Sequence, residues 1–323
     1  MRFLDVKTDF AFKKVFGSEQ SKPILISFLN ALLDYHDGDE ITDLTIIDPY
    51  QAPKILGMKD TYVDVKAVCA NGSTVIIEMQ VLNVEGFEKR VLYNAAKAYS
   101  AQLGKGEKYH LLNPVIALTL TDFVMFPDQP DMFSHYRLIE KQTLAHYSGD
   151  LELVFIELPK FVKELDELTT ISEKWVYFVK NAGKLDYVPD TLKIEPQILD
   201  AFGIANHAGL TEEELEAQEK RYDFLRVQRA LQDGLKAAEE GLKEAEIRVA
   251  QAEQKTAEAE KQMAQAEQKT AEAEQKMLEL QEQAIAAMHT KSLDIARQLL
   301  DVLDDATIAL KTGLTVEEVG ALR

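Results

Sequence analysis

The spacing of apolar residues predicts helices at the start of the chain. Phe12 and Phe16 lie four residues apart, which places both on one face of a helix, and Gly17 follows as its C-cap. A second helix is predicted over residues 23–33, because its proline falls in the first turn. Residues 34–43 are rich in Asp and Gly and predict a loop.

The pattern then changes to that of strands. Two β-rich runs at 60–69 and 74–80 flank an Asn-Gly pair, which is typical of a β-hairpin. The apolar run at 115–120 predicts a buried strand beside this hairpin. A helix is expected between them at 87–103, and the order of elements predicts a mixed α/β sheet. The apolar stripe of that helix is predicted to contain Leu92, Ala95, Ala96, Tyr99 and Leu103. The later elements expected are strands at 136–140 and 151–158 and helices at 161–181 and 195–206.

Composition changes at Thr211, where Ala, Glu, Gln and Lys begin to dominate a segment without proline. The nonamer AEQKTAEAE occurs at 252–260 and again at 266–274, a shift of two heptads. Apolar or small residues continue this repeat from Leu242 to Ala287, which predicts a coiled-coil helix over 211–288 that pairs with a second copy. A single solvated helix is the alternative, because alanine buries little area.

The last segment, residues 289–323, predicts a small group of helices. Leu293, Ala296 and Leu300 share one helix face, and a turn followed by a capped helix is expected at 312–319. This pattern resembles a helix-turn-helix, but it lacks the basic residues of a recognition helix, so packing or oligomerisation is favoured over DNA reading. The predicted domains are therefore 1–210, 211–288 and 289–323.

Charge limits the partners that can be expected. The net charge is -19, with -9 in residues 1–210 and -10 in 211–323, so neither part offers the basic surface on which DNA affinity usually rests. Any DNA contact would need a local basic cluster or divalent cations. The single cysteine, Cys69, excludes an internal disulfide and a thiolate zinc cluster. The absence of signal-like and membrane-length apolar runs predicts a soluble, cytoplasmic protein without a membrane partner.

Two carboxylates within the apolar hairpin are the candidate chemistry. Asp64 and Glu78 lie in strand segments, where acidic residues are uncommon. Paired carboxylates suit Mg²⁺, which can stabilise charge on a phosphate and generate a hydroxide nucleophile. The alternative is that both side chains face solvent on an edge hairpin.

Strand parity turns this hypothesis into a geometric prediction. A strict two-residue turn would set Asp64 opposite Met79 and leave Glu78 on the other face of the sheet. A three-residue loop sets Asp64 opposite Glu78 or Gln80 and brings all three to one face. We therefore predict a three-residue loop or a bulge, with Gly72 at positive φ.

A combination of segments resembles a known family. These segments are residues 9–17, 63–65, 77–80, the 90–99 helix and the strand end at 156–160, and together they resemble the family of recombination-promoting nucleases and related transposases. That family belongs to the PD-(D/E)XK nuclease superfamily, and the resemblance covers roughly residues 1–210. It implies a restriction-endonuclease-like fold, dependence on Mg²⁺ with Mn²⁺ as a substitute, DNA endonuclease activity, and a link to recombination or mobile elements.

The resemblance also implies roles for individual residues. Asp64 and Glu78 would be the metal ligands, and Gln80 takes the place of the motif lysine. Glutamine cannot act as a base, but it can orient the attacking water or bond a phosphate oxygen. The accessory residues expected near them are Asp9, Lys66, Arg90 and Tyr93.

Two of the accessory residues have alternative roles. Asp9 would serve as an accessory acid or, equally well, as a helix N-cap or surface residue. Arg90 would clamp a phosphate or, equally well, form a helix-surface salt bridge with Glu88 or a neighbouring residue.

Two functions follow. The first is a Mg²⁺-dependent DNA endonuclease that forms a homodimer through the coiled coil. The second is a catalytically weak or inactive nuclease fold that acts as a coiled-coil interaction module. The two acids in the apolar hairpin favour the first, whereas the acidity of the chain and Gln80 favour the second.

Overall fold

A computed structural model describes residues 2–33, 35, 40–51 and 59–323. The chain divides into two compact units, Met1–Gly234 and Leu235–Arg323. The loop predicted at 34–43 lies largely outside the described residues. None of the helices within those ranges combines the length and the apolar composition required to cross a membrane.

The first unit is built on a six-stranded mixed sheet with the order β1-β4-β5-β6-β8-β7. Strands β5, β6 and β8 run parallel to one another, and the remaining pairs are antiparallel. A separate pair, β2 and β3, forms a two-stranded sheet. The strands are β1 Leu44–Ile47, β2 Tyr50–Gln51, β3 Thr61–Tyr62, β4 Val65–Cys69, β5 Thr74–Gln80, β6 Val115–Thr121, β7 Phe133–Ile139 and β8 His146–Glu157. The mixed α/β sheet predicted from the sequence is confirmed.

The α-helices of the described chain begin and end where local signals place them. Thr8 caps the first helix, Gly17 follows its last residue, and Pro23 lies in the first turn of the second, as predicted. The helices are α1 Asp9–Phe16, α2 Lys22–Leu32, α3 Phe87–Ser100, α4 Ile171–Asn181, α5 Asp190–Lys193, α6 Pro196–Ile204, α7 Glu212–Leu299, α8 Asp305–Thr312 and α9 Val316–Gly320.

The sheet has a hydrophobic core on each face. On one face, α1, α2, α4 and α6 pack around a buried aromatic group that contains Phe12, Phe16, Phe28 and Trp175. The other face is covered by α3. Strand β6 is buried along its whole length because helices cover both faces, which explains its unbroken apolar sequence.

The structure corrects two helix predictions. Of the stripe predicted for α3, Ala95 is buried as expected, but Leu92 is 53% exposed and Ala96 is exposed. The rest of the buried apolar face is formed by Phe87, Val91 and Ala98. The pattern misled because polar residues of α3 are also buried. The helix predicted at 161–181 begins only at Ile171, because Thr170 and Glu173 form a capping box that starts it there.

Strand assignment was incomplete near the edge of the sheet. Strands β1 and β2 were missed, since both are short and carry little hydrophobic alternation. The strands predicted at 136–140 and 151–158 are confirmed but begin earlier, as β7 and β8.

The second unit contains the remainder of α7 and two short helices. Helix α7 continues to Leu299, beyond the predicted end at 288. Ala296, Ile308, Leu314 and Val319 form a small buried cluster, which confirms the predicted helical group. Gly313 adopts φ 77° at the end of α8, and a Thr315–Glu318 capping box starts α9.

Candidate active site at the carboxyl end of the central strands

The hairpin between β4 and β5 has the predicted three-residue loop. Val65 lies opposite Ile77, and the Cys69 N–H donates to the Ser73 carbonyl at 2.8 Å, which leaves residues 70–72 as the loop. Gly72 has φ 88°, as predicted. A Cβ atom added at Gly72 would lie 2.8 Å from the Asn113 Oδ1 atom, so both conformation and space favour glycine.

The regular pairing of β4 ends at Asp64. The Ile77 carbonyl accepts the Asp64 N–H at 3.0 Å, although the register partner of Ile77 is Val65. Two successive residues therefore lie opposite one, the arrangement of a β-bulge. The side-chain alternation also breaks here, because Val65 lies in one core and Val63 in the other. The three-residue loop predicted at Asn71-Gly72 is confirmed, and the bulge at Asp64 is a further irregularity that the sequence did not predict.

The bulge directs the Asp64 carboxylate towards the end of β5. Its Oδ2 atom accepts the Met79 N–H at 2.7 Å, and its Oδ1 atom lies 3.4 Å from Lys13 Nζ. Only 11% of the side chain is exposed. Burial, and then the neighbouring Asp9 carboxyl, raise the pKa of Asp64 to about 7, against the opposing effects of the Met79 N–H and of Lys13.

Glu78 is the second buried carboxylate, with 14% of its side chain exposed. It accepts a charge-assisted hydrogen bond from Arg90 and a longer one, 3.5 Å, from Asn94 Nδ2. Burial raises the pKa of Glu78, and the charges of Arg90 and Lys13 oppose that rise. Since Lys13 acts on both carboxyls, Asp64 and Glu78 lie in one electrostatic neighbourhood.

Gln80, at the end of β5, forms a hydrogen bond with Arg90. Its Oε1 atom accepts from Arg90 at 2.7 Å, and its Nε2 atom donates to the Leu82 carbonyl at 2.7 Å. The guanidinium of Arg90 also lies 5.0 Å from the Phe87 ring centroid. Arg90 therefore binds Glu78 and Gln80, not the Glu88 partner considered as an alternative.

The remaining predicted residues divide into two groups. Asp9 joins the site, because its carboxylate lies 2.6 Å from Lys13 Nζ, and the N-cap role considered for it belongs to Thr8. Tyr93 and Lys66 do not join it. The Tyr93 hydroxyl donates to a backbone carbonyl, that of Lys59, and the charged neighbour that acts on the half-buried Lys66 is Asp48.

Two residues of the site were not identified from the sequence. Lys13 lies four residues after Asp9 on α1, a spacing that places both on one helix face. Asn94 lies four residues after Arg90 on α3 and is 1% exposed, with its Oδ1 atom unpartnered. The helical spacing was available as a signal for Lys13, but the burial of Asn94 required the tertiary structure.

The first turns of α7 pack beside this site within the first unit. Gln218 donates to Thr8 at 2.9 Å, Arg229 pairs with Asp122 at 2.7 Å, and Gln232 donates to the Asn83 carbonyl at 2.9 Å. A cavity of about 880 Å³ lies between α7 and the body of the unit. The carboxyl ends of parallel strands are the usual ligand position in open α/β sheets.

The donor set can be compared with the requirements of a divalent metal. Mg²⁺ is held by one or two carboxylates and retains several waters, so Asp64 and Glu78 fit it. Among the residues that the structure describes, no group of three or more His, Cys, Asp or Glu side chains is arranged for a metal. Water or backbone oxygens would therefore supply the remaining ligands.

The mixed α/β sheet, with Asp64 beside β4 and Glu78 on the adjacent β5, agrees with the class of nuclease expected from the sequence. Residues 6–238 match the family described as PD-(D/E)XK nuclease family transposase, and the chain belongs to this family. The predicted superfamily is thereby confirmed, and membership supports a nuclease- or transposase-like function. PD-(D/E)XK nucleases generally use divalent metals. No curated protein and no solved structure matched the chain.

Proposed function

We propose that this protein is a metal-dependent DNA endonuclease that hydrolyses phosphodiester bonds in the cytoplasm during recombination or the movement of mobile elements. The observation that supports it best is the bulge at Asp64, which brings a second buried carboxylate to the end of the strand that carries Glu78. Burying two carboxylates together costs free energy. Such an arrangement is common where a site binds a cation or performs chemistry.

Asp64 and Glu78 would hold the metal ion, with Mg²⁺ as the first candidate and Mn²⁺ as a substitute. When bound, the ion would supply Lewis-acid stabilisation of the phosphate and a lowered pKa for bound water. Gln80 cannot take a proton, so its role is to position Arg90, to which it is bonded. Arg90 then offers guanidinium donors, which suit phosphate oxygens.

We further propose that α7 forms a homodimer by pairing with a second copy. Apolar seam residues of its second-unit portion are exposed, among them Leu242, Val249, Met263 and Met277. Their heptad spacing is that of a coiled coil. A dimer would provide two active centres, which suits the cutting of both DNA strands. Sedimentation equilibrium would test this, and a monomer at all accessible concentrations would contradict it.

Plasmid nicking tests the nuclease proposal directly. The wild type is expected to nick supercoiled DNA with Mg²⁺ or Mn²⁺ and to be inactive in EDTA. Asp64→Ala and Glu78→Ala should lose this activity, whereas Glu88→Ala, which removes an exposed carboxylate of α3, should retain it. A wild type inactive with every metal, or equal nicking by all four proteins, would instead support the catalytically inactive interaction module.

A further inference from the structure

Within the part of the chain that the structure describes, Asp64 and Glu78 each have a cationic neighbour, and the two cations differ in what they bind. Arg90 is bonded to both Glu78 and Gln80, so its donors are directed at two acceptors of the site. Lys13 comes from the opposite side, on α1, and lies 2.6 Å from Asp9 and 3.4 Å from Asp64.

The ammonium of Lys13 is both held and accessible. Its side chain is 40% exposed, so a ligand can approach it from solvent. An ammonium has three donors. Among the described residues its ion-pair partners are Asp9 and Asp64, and an acceptor that arrives with a substrate would take the third donor.

The position of Lys13 is fixed by the rest of α1. Phe12 and Phe16 are fully buried in the aromatic core, and Thr8 caps the helix. This packing fixes the rotation of the helix and leaves Asp9 and Lys13 directed at the end of β5. Preorganised positive charge of this kind is effective because no reorganisation is needed when negative charge develops.

We infer that Lys13 contacts the scissile phosphate of DNA and supplies the positive charge that Gln80 cannot supply, with Asp9 as its positioning residue. The inference rests on the proposed nuclease function. Phosphoryl transfer depends mainly on positioning and on charge stabilisation around the phosphate oxygens, which a fixed ammonium provides.

The neighbouring lysines do not compete for this role. Lys14, the next residue along α1, is directed away to Glu214 at 2.9 Å and lies over the Phe10 ring. Lys66 is half-buried with Asp48 as the charged neighbour that acts on it. Lys14 is therefore a matched control: same residue type, same helix, different direction.

Two measurements test the inference. The first is single-turnover nicking of plasmid DNA with Mg²⁺ by the wild type, Lys13→Met, Lys13→Arg and the control Lys14→Met. Lys13→Met should lose about 10²- to 10³-fold in rate, as when one preorganised donor is removed. Lys13→Arg should recover part of it, and Lys14→Met should match the wild type.

The second measurement is binding, which does not depend on turnover. Affinity for a short duplex is measured against salt concentration with Ca²⁺ in place of Mg²⁺. Removing one phosphate contact should reduce the salt slope of Lys13→Met by about 1, with the slope retained in Lys13→Arg and Lys14→Met. A lysine that only neutralised Asp9 and Asp64 would leave this slope unchanged.

The outcomes separate the two claims. If the wild type nicks DNA and Lys13→Met nicks it equally with an unchanged salt slope, the assignment of Lys13 is wrong and the nuclease proposal stands. If the wild type neither nicks nor binds DNA, both fail together. Thermal unfolding followed by the fluorescence of Trp175 confirms that each variant is folded, since this buried residue is the single tryptophan of the chain.

Discussion

The two compact units place their carboxylates in opposite environments. In Met1–Gly234, Glu157 is fully buried, Asp64 and Glu78 have only 11% and 14% of their side chains exposed, and each of the three is paired with a cation. In Leu235–Arg323, the carboxylates of α7 point into solvent, as Glu244 does beside Arg248. Both units are acidic, with a net charge of -12 over residues 1–234 and -7 over residues 235–323. Burial of the acids, rather than the sign of the net charge, therefore distinguishes the part of the chain suited to chemistry.

The largest expected difference between the units is in the unfolding free energy lost when Glu157 or Glu244 is replaced by alanine. Glu157 is fully buried; it pairs with Lys160 and accepts the N–H groups of Met125 at 2.5 Å and Phe126 at 3.0 Å. Glu157→Ala should cost about 3–5 kcal/mol of unfolding free energy, because the Lys160 ammonium loses its charged partner and keeps only carbonyl acceptors, while the Met125 and Phe126 N–H groups lose theirs.

The matched change in the second unit is Glu244→Ala. Its pair with Arg248 is exposed, so we expect a cost of no more than about 0.5 kcal/mol. Urea unfolding measures both, with Trp175 fluorescence for the first unit and far-ultraviolet circular dichroism for the helix. Similar costs at the two positions would contradict the comparison.

Replacing glycine by alanine should lower the free energy of unfolding in the first unit and raise it in the second. Gly72→Ala forces a Cβ into positive φ and towards Asn113, so it should destabilise the hairpin by about 1–2 kcal/mol. Gly241 lies within α7 with open space around it, and Gly241→Ala should stabilise that helix by about 0.5–1 kcal/mol.

Thermal unfolding reports the sign at each position. Gly72→Asn is the control at the hairpin. Asparagine tolerates positive φ better than alanine, so this variant should lose less stability than Gly72→Ala. A stabilised Gly72→Ala protein would show that the loop conformation is not required.

The pH dependence of Glu173 provides a smaller test. Burial opposes its ionisation, but hydrogen bonds from Lys163 and from the Thr169 and Thr170 N–H groups outweigh this and lower its pKa to about 2. The folded pKa lies below the unfolded value, so Glu173 stabilises the fold above about pH 4.5 and loses this effect as the pH falls towards 2.

The difference in unfolding free energy between the wild type and Glu173→Gln should therefore be constant above pH 5 and shrink below it. Glu318, in the Thr315 capping box of the second unit, has a pKa lowered to about 2 mainly by the Thr315 N–H. Its contribution to stability should likewise be lost as the pH falls below about 5. A difference that grows on acidification would contradict the assignment.

The smallest effect is expected at the seam of α7. Met277 is 71% exposed, so Met277→Ala should change the unfolding of a monomer by less than about 0.5 kcal/mol. If α7 forms the proposed dimer, the same variant should instead lower the melting temperature in a concentration-dependent manner. Melting at two protein concentrations separates these cases.

Much of the fold was predictable because local signals agree with it. The Asn-Gly turn, the apolar run of β6, the capped starts of α1 and α2, and the long α7 all follow from patterns that act within a few residues. The α3 stripe was misplaced because Asn94 and Lys97 are buried through partners elsewhere in the chain, Glu78 and the carbonyls of Gln51 and Lys59. Such partners leave no periodic signal.

The sequence by itself determined the mixed α/β class, the three-residue loop with Gly72 at positive φ, and the two carboxylates of the hairpin, because each depends on neighbouring residues. Only the tertiary structure decided that Asp64 lies at a bulge and that cations from α1 and α3 flank the strand end. Those contacts join residues that are distant along the chain, and no local pattern specifies which helix packs on which face. The same reason explains why Lys13, four residues after Asp9, gained a role only when α1 was placed against the sheet.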